Sequence, residues 1–269
     1  MKTVISKDGT TIAYEKRGSG PALILVTGAF SYRQFPGQVK LAERLAERFT
    51  VYHYDRRGRG DSGDAPSYAV EREIEDLEAM IGAAGGSAYV YGLSSGAVLA
   101  LKAAAQGASI KKLALHEPPF VVEAKDPKPP ADFVRHVQEL VISDRREEAI
   151  RYFMTKGMGA PTFVPAMMRL MPGTWKKLKA LAHTLPYDAA LLEGYASGKP
   201  LDPEPWRGVS IPALVLEGLE SPASLRHAAL AVKNVLPNAR LLSKKGLGHT
   251  KKLDAGRIAP ELSAFFADR

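Results

Sequence analysis

The sequence predicts an α/β fold in which a mostly parallel sheet is flanked by helices and interrupted by a helical insertion. Strand-like and helix-like segments alternate through residues 1–119, and the alternation resumes at residue 207. Residues 120–206 show one helical pattern after another, punctuated by prolines, and no convincing strand. We therefore expect a core formed by residues 1–119 and 207–269, with a helical insertion at 120–206.

The strands expected in the core are short apolar or alternating runs bounded by turn residues. In chain order they are Thr10–Glu15, Ala22–Val26, Phe49–Tyr54, Ala88–Tyr91, Ile110–Leu115, Ala213–Leu216 and Ala239–Leu242. The helices expected between them carry apolar residues three and four positions apart. They are Gln38–Glu47, Ala69–Ala84, Ala97–Gln106, Pro222–Leu236 and Asp254–Ala267.

Composition narrows the class of protein. The chain has 269 residues, of which 45% are hydrophobic and 25% charged, close to the averages for soluble globular proteins. It has no cysteine, which excludes disulfides, cysteine nucleophiles and thiolate metal sites. There is no apolar run of about 18 residues and no signal-peptide core at the N-terminus, so we expect a cytoplasmic protein without a membrane partner.

The net charge of +8 raises the question of an acidic partner. The lysines and arginines are scattered among 29 acidic residues, and no long basic tract contains interleaved aromatic residues. This pattern is typical of a solvated basic surface and does not favour a nucleic-acid partner. The expected partner is a small-molecule substrate, and the oligomeric state is left open.

The strongest chemical signal is the sequence Gly92-x-Ser94-x-Gly96 between an expected strand and an expected helix. Glycines relieve the backbone crowding of such a sharp turn. The turn lifts the serine hydroxyl to a helix N-terminus, where free N–H groups stabilise negative charge. We therefore predict that Ser94 is a nucleophile and that the neighbouring Ser95 contributes its backbone N–H.

A serine nucleophile needs a general base and an oxyanion hole. Among six histidines, only His249 follows the last expected strand, in a Gly-Leu-Gly-His loop. We predict His249 as the base, and the N–H groups of Ser95 and Ala29 as the oxyanion donors. Ala29 belongs to the loop that follows the Ala22–Val26 strand, residues Thr27–Phe30, which we call the oxyanion loop. Gly28 would let the backbone of this loop approach the substrate closely; the alternative interpretation is a tight loop that binds no ligand.

These residues match a family. The landmarks are Leu25-Val26-Thr27-Gly28, the stretch from Asp55 to Ser62 (DRRGRGDS), Gly92-Leu93-Ser94-Ser95-Gly96 and Gly248-His249. On them the chain resembles the α/β-hydrolase superfamily from end to end. The resemblance implies that the insertion is a lid. Dehalogenases and epoxide hydrolases of this superfamily use an aspartate nucleophile, so the serine at position 94 argues against both of these classes.

The chain departs from the family pattern at the acid. The family usually has a Gly-x-x-Asp turn after the strand before the last, but here the turn ends in Ser221, which cannot stabilise an imidazolium as a carboxylate does. Glu117 follows the strand after the nucleophile helix, at the edge where ligands gather in such sheets. Zearalenone-type lactonases are similar in placing a glutamate there. We predict Glu117 as the acid, with Glu220 or a Ser-His dyad as alternatives. The oxyanion loop also departs, with Thr27 in place of the usual histidine.

Residues Gly58–Gly63 fit the dinucleotide-binding pattern G-x-G-x-x-G and follow a strand. A dinucleotide site also needs a helix that opens at those glycines, but the next helical pattern begins only at about Ala69. We therefore expect a tight loop there and no cofactor. The sequence shows no cluster of metal ligands.

The composition of the insertion bears on the substrate. It contains five of the seven methionines and both tryptophans. Methionine adapts to varied apolar ligands, although ordinary helix packing explains the same spacing. The resulting expectation is cofactor-free cleavage of an ester or lactone of a mostly apolar molecule by Ser94, His249 and Glu117. The alternatives are a carbon–carbon bond hydrolase or perhydrolase with the same residues, and a non-catalytic small-molecule binding protein on a hydrolase scaffold.

Overall fold

The computed structural model describes residues 1–249 and 253–268 and contains one eight-stranded sheet. The strands are β1 (Lys2–Ile5), β2 (Thr11–Arg17), β3 (Ala22–Val26), β4 (Thr50–Tyr54), β5 (Ala88–Leu93), β6 (Ile110–His116), β7 (Ala213–Gly218) and β8 (Ala239–Lys244). Their spatial order is β1-β2-β4-β3-β5-β6-β7-β8. The six strands from β4 to β8 in this order are parallel, whereas β1 and β2 pair antiparallel at one edge.

Helices cover both faces of this sheet. The core helices are α1 (Pro36–Leu45), α2 (Val70–Ala83), α3 (Ser95–Ala105), α9 (Ala223–Val235) and α10 (Ala255–Ala267). α1 and α10 bury their apolar sides on one face, and α2, α3 and α9 bury theirs on the other. The predicted fold class, a mostly parallel sheet flanked by helices, is confirmed.

Residues 120–206 lie between β6 and β7. All of them are described, and they contain no strand. Their α-helices are α4 (Phe133–Ile142), α5 (Arg146–Tyr152), α6 (Phe163–Arg169), α7 (Pro172–Leu181) and α8 (Leu185–Leu191). A separate apolar cluster holds residues 133–189 together, and it contacts the core through Ala29 and Phe30. The flanking stretches instead pack on the core, as Phe120 and Trp206 do.

The sequence patterns missed the edge strand β1. Its residues are mostly exposed, so no buried face produces an alternating pattern in the sequence. Backbone pairing with β2 creates the strand instead, from Lys2 opposite Tyr14 to Ile5 opposite Thr11. In the part of the chain that the structure describes, no helix is long and apolar enough to cross a bilayer.

Candidate active site

Ser94 lies at a sharp turn between β5 and α3. Its backbone has φ 55° and ψ −125°, in the left-handed region that non-glycine residues rarely adopt. The turn is possible because the chain passes very close to itself at two glycines. A Cβ on Gly92 would lie 2.5 Å from the Gly96 oxygen, and a Cβ on Gly96 would lie 2.5 Å from the Val26 oxygen. The half-buried Ser94 side chain is thus held above the ends of the parallel strands.

The loop after β3 lies directly against this turn. A Cβ on Gly28 would lie only 2.9 Å from the Cβ of Ser94. Ser95 is the first residue of α3, so its N–H has no partner within the helix. Within residues 1–249 and 253–268, neither Ser95 N–H nor Ala29 N–H donates to a backbone oxygen. Among the described residues, the structure therefore records no acceptor for either of the predicted oxyanion donors.

Glu117 lies at the end of β6 and is fully buried. Its φ of 46° lies in the left-handed region, and its carboxylate reaches Gly218 at the end of β7 and His249 in the loop beyond β8. Oε1 accepts a hydrogen bond from the Gly218 N–H at 2.9 Å, and Oε2 accepts one from the His249 N–H at 3.1 Å. Oε2 also forms a short contact with Nδ1 of His249. The structure therefore brings Glu117 and His249 together.

The charge state of Glu117 follows from these contacts. Burial raises the pKa of Glu117, but the hydrogen bond from His249 and the nearby His116 outweigh burial, and the pKa falls to about 2. The carboxylate is therefore ionised at every pH at which a histidine can act as a base. Its negative charge is available to stabilise a protonated imidazole.

Glu220, the alternative acid, and Ser221, at the family's usual acid position, lie near Glu117 and His249, but their contacts differ from those of Glu117. Glu220 is exposed, and its Oε1 accepts a hydrogen bond from the Gly246 N–H at 2.8 Å rather than from the His249 ring. Ser221 is buried in the turn where the family usually has its aspartate, beside Gly218 and Gly248.

The structure records no hydrogen bond between Ser94 Oγ and the ring of His249, both of which are described. The His249 side chain is 16% exposed and directly precedes Thr250, the first residue outside the described ranges. Hydrogen bonds between nucleophile and base are often long in ligand-free enzymes and tighten when substrate binds. Nδ1 is taken up by Glu117, so Nε2 is the atom left to face a nucleophile.

His116 lies beside this pair, with its ring centroid 5.8 Å from that of His249. Its Nε2 is 2.6 Å from the Leu247 oxygen, which can only accept, so Nε2 carries the proton. Nδ1 then accepts from the Tyr91 hydroxyl at 2.7 Å. Burial, with the charge of His249, lowers the pKa of His116 to about 4, which keeps the ring neutral.

His116, Glu117 and His249 place one ligand-type atom each within 4.8 Å of one another, as a metal site would require. They do not fit a metal ion, because both ring nitrogens of His116 are already engaged by Tyr91 and Leu247. The sequence reasoning missed this structural role of His116. Chain position alone offered the only signal, since the residue directly precedes Glu117.

The glycine-rich stretch after β4 is a closed loop. The Gly58 N–H donates to the Gly63 oxygen at 2.8 Å, and α2 begins only at Val70. No helix therefore opens at these glycines, as a dinucleotide site requires. Three arginines of the loop turn inward and are buried, namely Arg56, Arg57 and Arg59.

Sequence reasoning also missed Asp188. It lies in α8, within the insertion, yet its buried carboxylate accepts hydrogen bonds from Arg56, Arg59 and Ser95, each at 2.7 Å. One acidic residue in a helical pattern resembles any surface residue of a helix. The one indication in the sequence was its position close to the apolar residues Leu185 and Ala189, which lie on the buried face of α8.

Comparisons with known proteins identify the family and the fold. The profile of the alpha/beta hydrolase family matches residues 23–253. The crystal structure of an alpha/beta hydrolase from Sphaerobacter thermophilus DSM 20745 is 48% identical, with a TM-score of 0.89, over 98% of this chain and 100% of that one. The enol-lactonase from Burkholderia xenovorans LB400 is similar in fold, with 18% identity and a TM-score of 0.71 over 99% of this chain and 100% of that one.

A curated relative matches over a shorter stretch. The N-formylmaleamate deformylase of Pseudomonas putida KT2440 is 42% identical over 106 residues, which are 38% of this chain and 39% of the relative. The match therefore spans less than half the length of that relative.

Proposed function

Because the chain belongs to the α/β hydrolase family, we propose that it is a cofactor-free serine hydrolase that cleaves an ester or lactone of a mostly apolar small molecule. One observation carries the proposal. A serine at φ 55° lies at the N-terminus of a helix, next to a loop whose Ala29 N–H has no recorded acceptor among the described residues. On the same edge of the sheet, a buried ionised glutamate holds one nitrogen of a histidine.

The proposed reaction follows from these positions. Ser94 Oγ attacks the carbonyl carbon while Nε2 of His249 takes the hydroxyl proton. The oxyanion that forms accepts hydrogen bonds from the N–H groups of Ala29 and Ser95. When the carbon–oxygen bond breaks, the imidazolium returns the proton to the alcohol. Water then attacks the acyl-enzyme through the same histidine, releasing the acid and restoring Ser94.

Glu117 has two roles in this proposal. Its hydrogen bond fixes the His249 tautomer with the proton on Nδ1, which leaves the Nε2 lone pair for the serine proton. Its negative charge then stabilises the imidazolium. Both roles rest on the Oε2 contacts with the ring and the backbone N–H of His249.

We propose that the insertion is the lid of this site. Phe153, in a π-helical turn at residues 153–157, packs edge-on against Phe30 of the oxyanion loop, with ring centroids 5.7 Å apart. The apolar cluster of the insertion also contacts Ala29. A substrate bound at Ser94 would therefore meet apolar side chains, which favours an apolar acyl or alcohol group.

A second candidate is hydrolysis of an N-formyl amide, which uses the same nucleophile and base. It is favoured by the 42% identity to a relative named N-formylmaleamate deformylase. The two candidates are separated by measuring kcat/KM for p-nitrophenyl acetate, a δ-lactone and N-formylmaleamate. The substrate class with the highest kcat/KM decides between them.

The nucleophile itself is tested with a fluorophosphonate and peptide mapping by mass spectrometry. We expect a single adduct on Ser94. Ser94→Ala should lower kcat by at least about 10⁴-fold, as removal of a serine nucleophile does in related mechanisms. Ser210→Ala, which removes an exposed serine before β7, is the control and should keep wild-type activity. An adduct on Ser95, or no adduct, contradicts the proposal.

A further inference from the structure

A buried cluster of charges lies directly beneath the oxyanion loop. Asp188 of α8 accepts hydrogen bonds from Arg56 Nη1 and Arg59 Nη2, both at 2.7 Å. Glu73 of α2 holds Arg56 from the other side, with two bonds of 2.6 Å. These four side chains are at most 2% exposed. Two positive and two negative charges thus balance in a dry interior, where an unpaired charge is costly.

The cluster contacts the peptide unit that carries one proposed oxyanion donor. Arg59 Nη1 donates to the Gly28 oxygen at 2.7 Å. That oxygen and the Ala29 N–H belong to the same peptide group, which is planar and trans, so the two point in opposite directions. Fixing the Gly28 oxygen on Arg59 therefore turns the Ala29 N–H away from the cluster, on a loop that abuts Ser94. A cation on the oxygen also polarises the N–H and makes it a stronger donor.

Ser95, whose N–H is the other proposed donor, is held by the carboxylate of Asp188. Ser95 Oγ donates to Asp188 Oδ1 at 2.7 Å, which fixes the first residue of α3. Arg56 Nη1 lies 3.4 Å from that hydroxyl and 3.3 Å from the Thr27 oxygen, so it joins the helix start to the oxyanion loop. Asp188 therefore connects both sides of the proposed oxyanion hole.

We infer that Arg59 and Asp188 are positioning residues of the oxyanion hole: Asp188 orients Arg59 and Ser95, and Arg59 aims and polarises the Ala29 N–H. The inference rests on the proposed function. It also couples the insertion to the chemistry, because Asp188 belongs to α8 and enters the core only when that helix is seated. A displaced α8 would remove the carboxylate from Arg59 and Ser95 together.

The test compares Arg59→Lys and Asp188→Asn with the wild-type protein. A lysine keeps the charge but cannot bind Asp188 and Gly28 at once, and asparagine keeps the shape of Asp188 without its charge. We expect kcat for p-nitrophenyl acetate to fall by about 10- to 100-fold with little change in KM, less than the 10²–10³ typical of removing an oxyanion donor. Inhibition by phenylboronic acid, whose serine adduct places an oxygen in the hole, should weaken by a similar factor.

The same loop offers a matched control. Arg57 binds Asp76 in an equally buried pair but does not touch the oxyanion loop or Ser95. Arg57→Lys and Asp76→Asn should therefore lower the free energy of unfolding while kcat per folded molecule and boronate inhibition stay at wild-type values. If Asp188→Asn fails to fold, Ser95→Ala removes a single bond of Asp188 and should lower kcat by a smaller factor.

The outcomes separate the two proposals. If wild-type protein turns over ester and forms the Ser94 adduct, but Arg59→Lys keeps wild-type kcat and boronate affinity, the positioning role is wrong and the proposed function stands. Equal losses in the Arg57 and Arg59 variants also overturn it, because they would reflect stability alone. If the wild-type protein forms no adduct and shows no turnover, both proposals fail.

Discussion

Glu117 carries the electrostatic part of the proposed chemistry. Among residues 1–249 and 253–268, it is the carboxylate in contact with the His249 ring. It is also one of four non-glycine residues there with positive φ. Three of the four, namely Phe30, Ser94 and Glu117, lie at the candidate site. Backbone strain of this kind persists where surrounding structure enforces it, and it concentrates at functional sites.

Removing the charge of Glu117 should be costly. Glu117→Gln keeps the shape of the side chain but cannot stabilise an imidazolium, so we expect kcat/KM for p-nitrophenyl acetate to fall by about 10²–10⁴-fold. Glu220→Gln is the matched control, because Glu220 binds the Gly246 N–H and not the histidine ring. Loss of activity in Glu220→Gln with retention in Glu117→Gln would reverse the assignment.

A second variant tests the position that the family normally uses for its acid. Ser221 lies beside Gly248, the residue before His249. Introducing Ser221→Asp into the Glu117→Gln protein should recover part of the lost kcat/KM, because a carboxylate at this turn is placed to reach the same imidazole. Ser221→Asn in the same background supplies the shape without the charge and should recover nothing. Equal rates in the two double variants would contradict an electrostatic role.

At the scale of elements, the turn between β5 and α3 depends on the close approach of two backbone segments. Gly92→Ala would place a methyl group 2.5 Å from the Gly96 oxygen, and a backbone atom cannot move aside easily. We expect the free energy of unfolding, measured in urea, to fall by about 1–3 kcal/mol, with loss of activity as the turn opens.

Gly82→Ala is the control for this change. Gly82 lies in α2, is exposed, and has no atom within 4 Å of an added Cβ. The same substitution should there raise the free energy of unfolding by about 0.5–1 kcal/mol, because alanine loses less backbone entropy in a helix. A similar effect at both glycines would show that the turn is not tightly constrained.

At the scale of the whole molecule, His116 makes stability depend on pH. Its pKa is about 4 in the folded protein, whereas a histidine in an unfolded chain has a pKa of about 6.5. Between these values the unfolded state binds a proton that the folded state does not. The stability that the neutral His116 ring contributes to the free energy of unfolding is therefore fully present above about pH 6.5. It is lost as the pH falls towards 4, where the free energy of unfolding is lower by about 3 kcal/mol.

His116→Gln tests this dependence. Its amide can donate to Leu247 and accept from Tyr91 but does not titrate. We expect the variant to lose much of the fall in free energy of unfolding between pH 6.5 and 4; buried His53, whose pKa is also lowered by burial, accounts for part of the remainder. His136→Gln, at a partly exposed site on α4, should keep the wild-type slope. A wild-type slope in His116→Gln would show that His116 is not buried as a neutral ring.

The sequence by itself determined the fold class and the two residues at which the proposed chemistry begins. The alternation of strands and helices reflects local burial patterns, and it led to the sheet confirmed here. Ser94 was predicted as the nucleophile because its turn needs glycines two positions away on either side, so the signal is local. His249 was predicted as the base from chain order, since its loop follows the last strand of the sheet.

Only the tertiary structure decided which carboxylate meets His249 and what holds the proposed oxyanion loop. Glu117 and His249 are 132 positions apart, and Asp188 and Ser95 are 93 apart. Local pattern carries no information about such pairs, because they depend on strand order, on the register between β6 and β7 and on the seating of α8 against α3. Glu220 is far nearer to His249 in sequence, but its side chain remains in solvent. Glu117 was a candidate from sequence, whereas Asp188 became visible only when packing turned its carboxylate into the core.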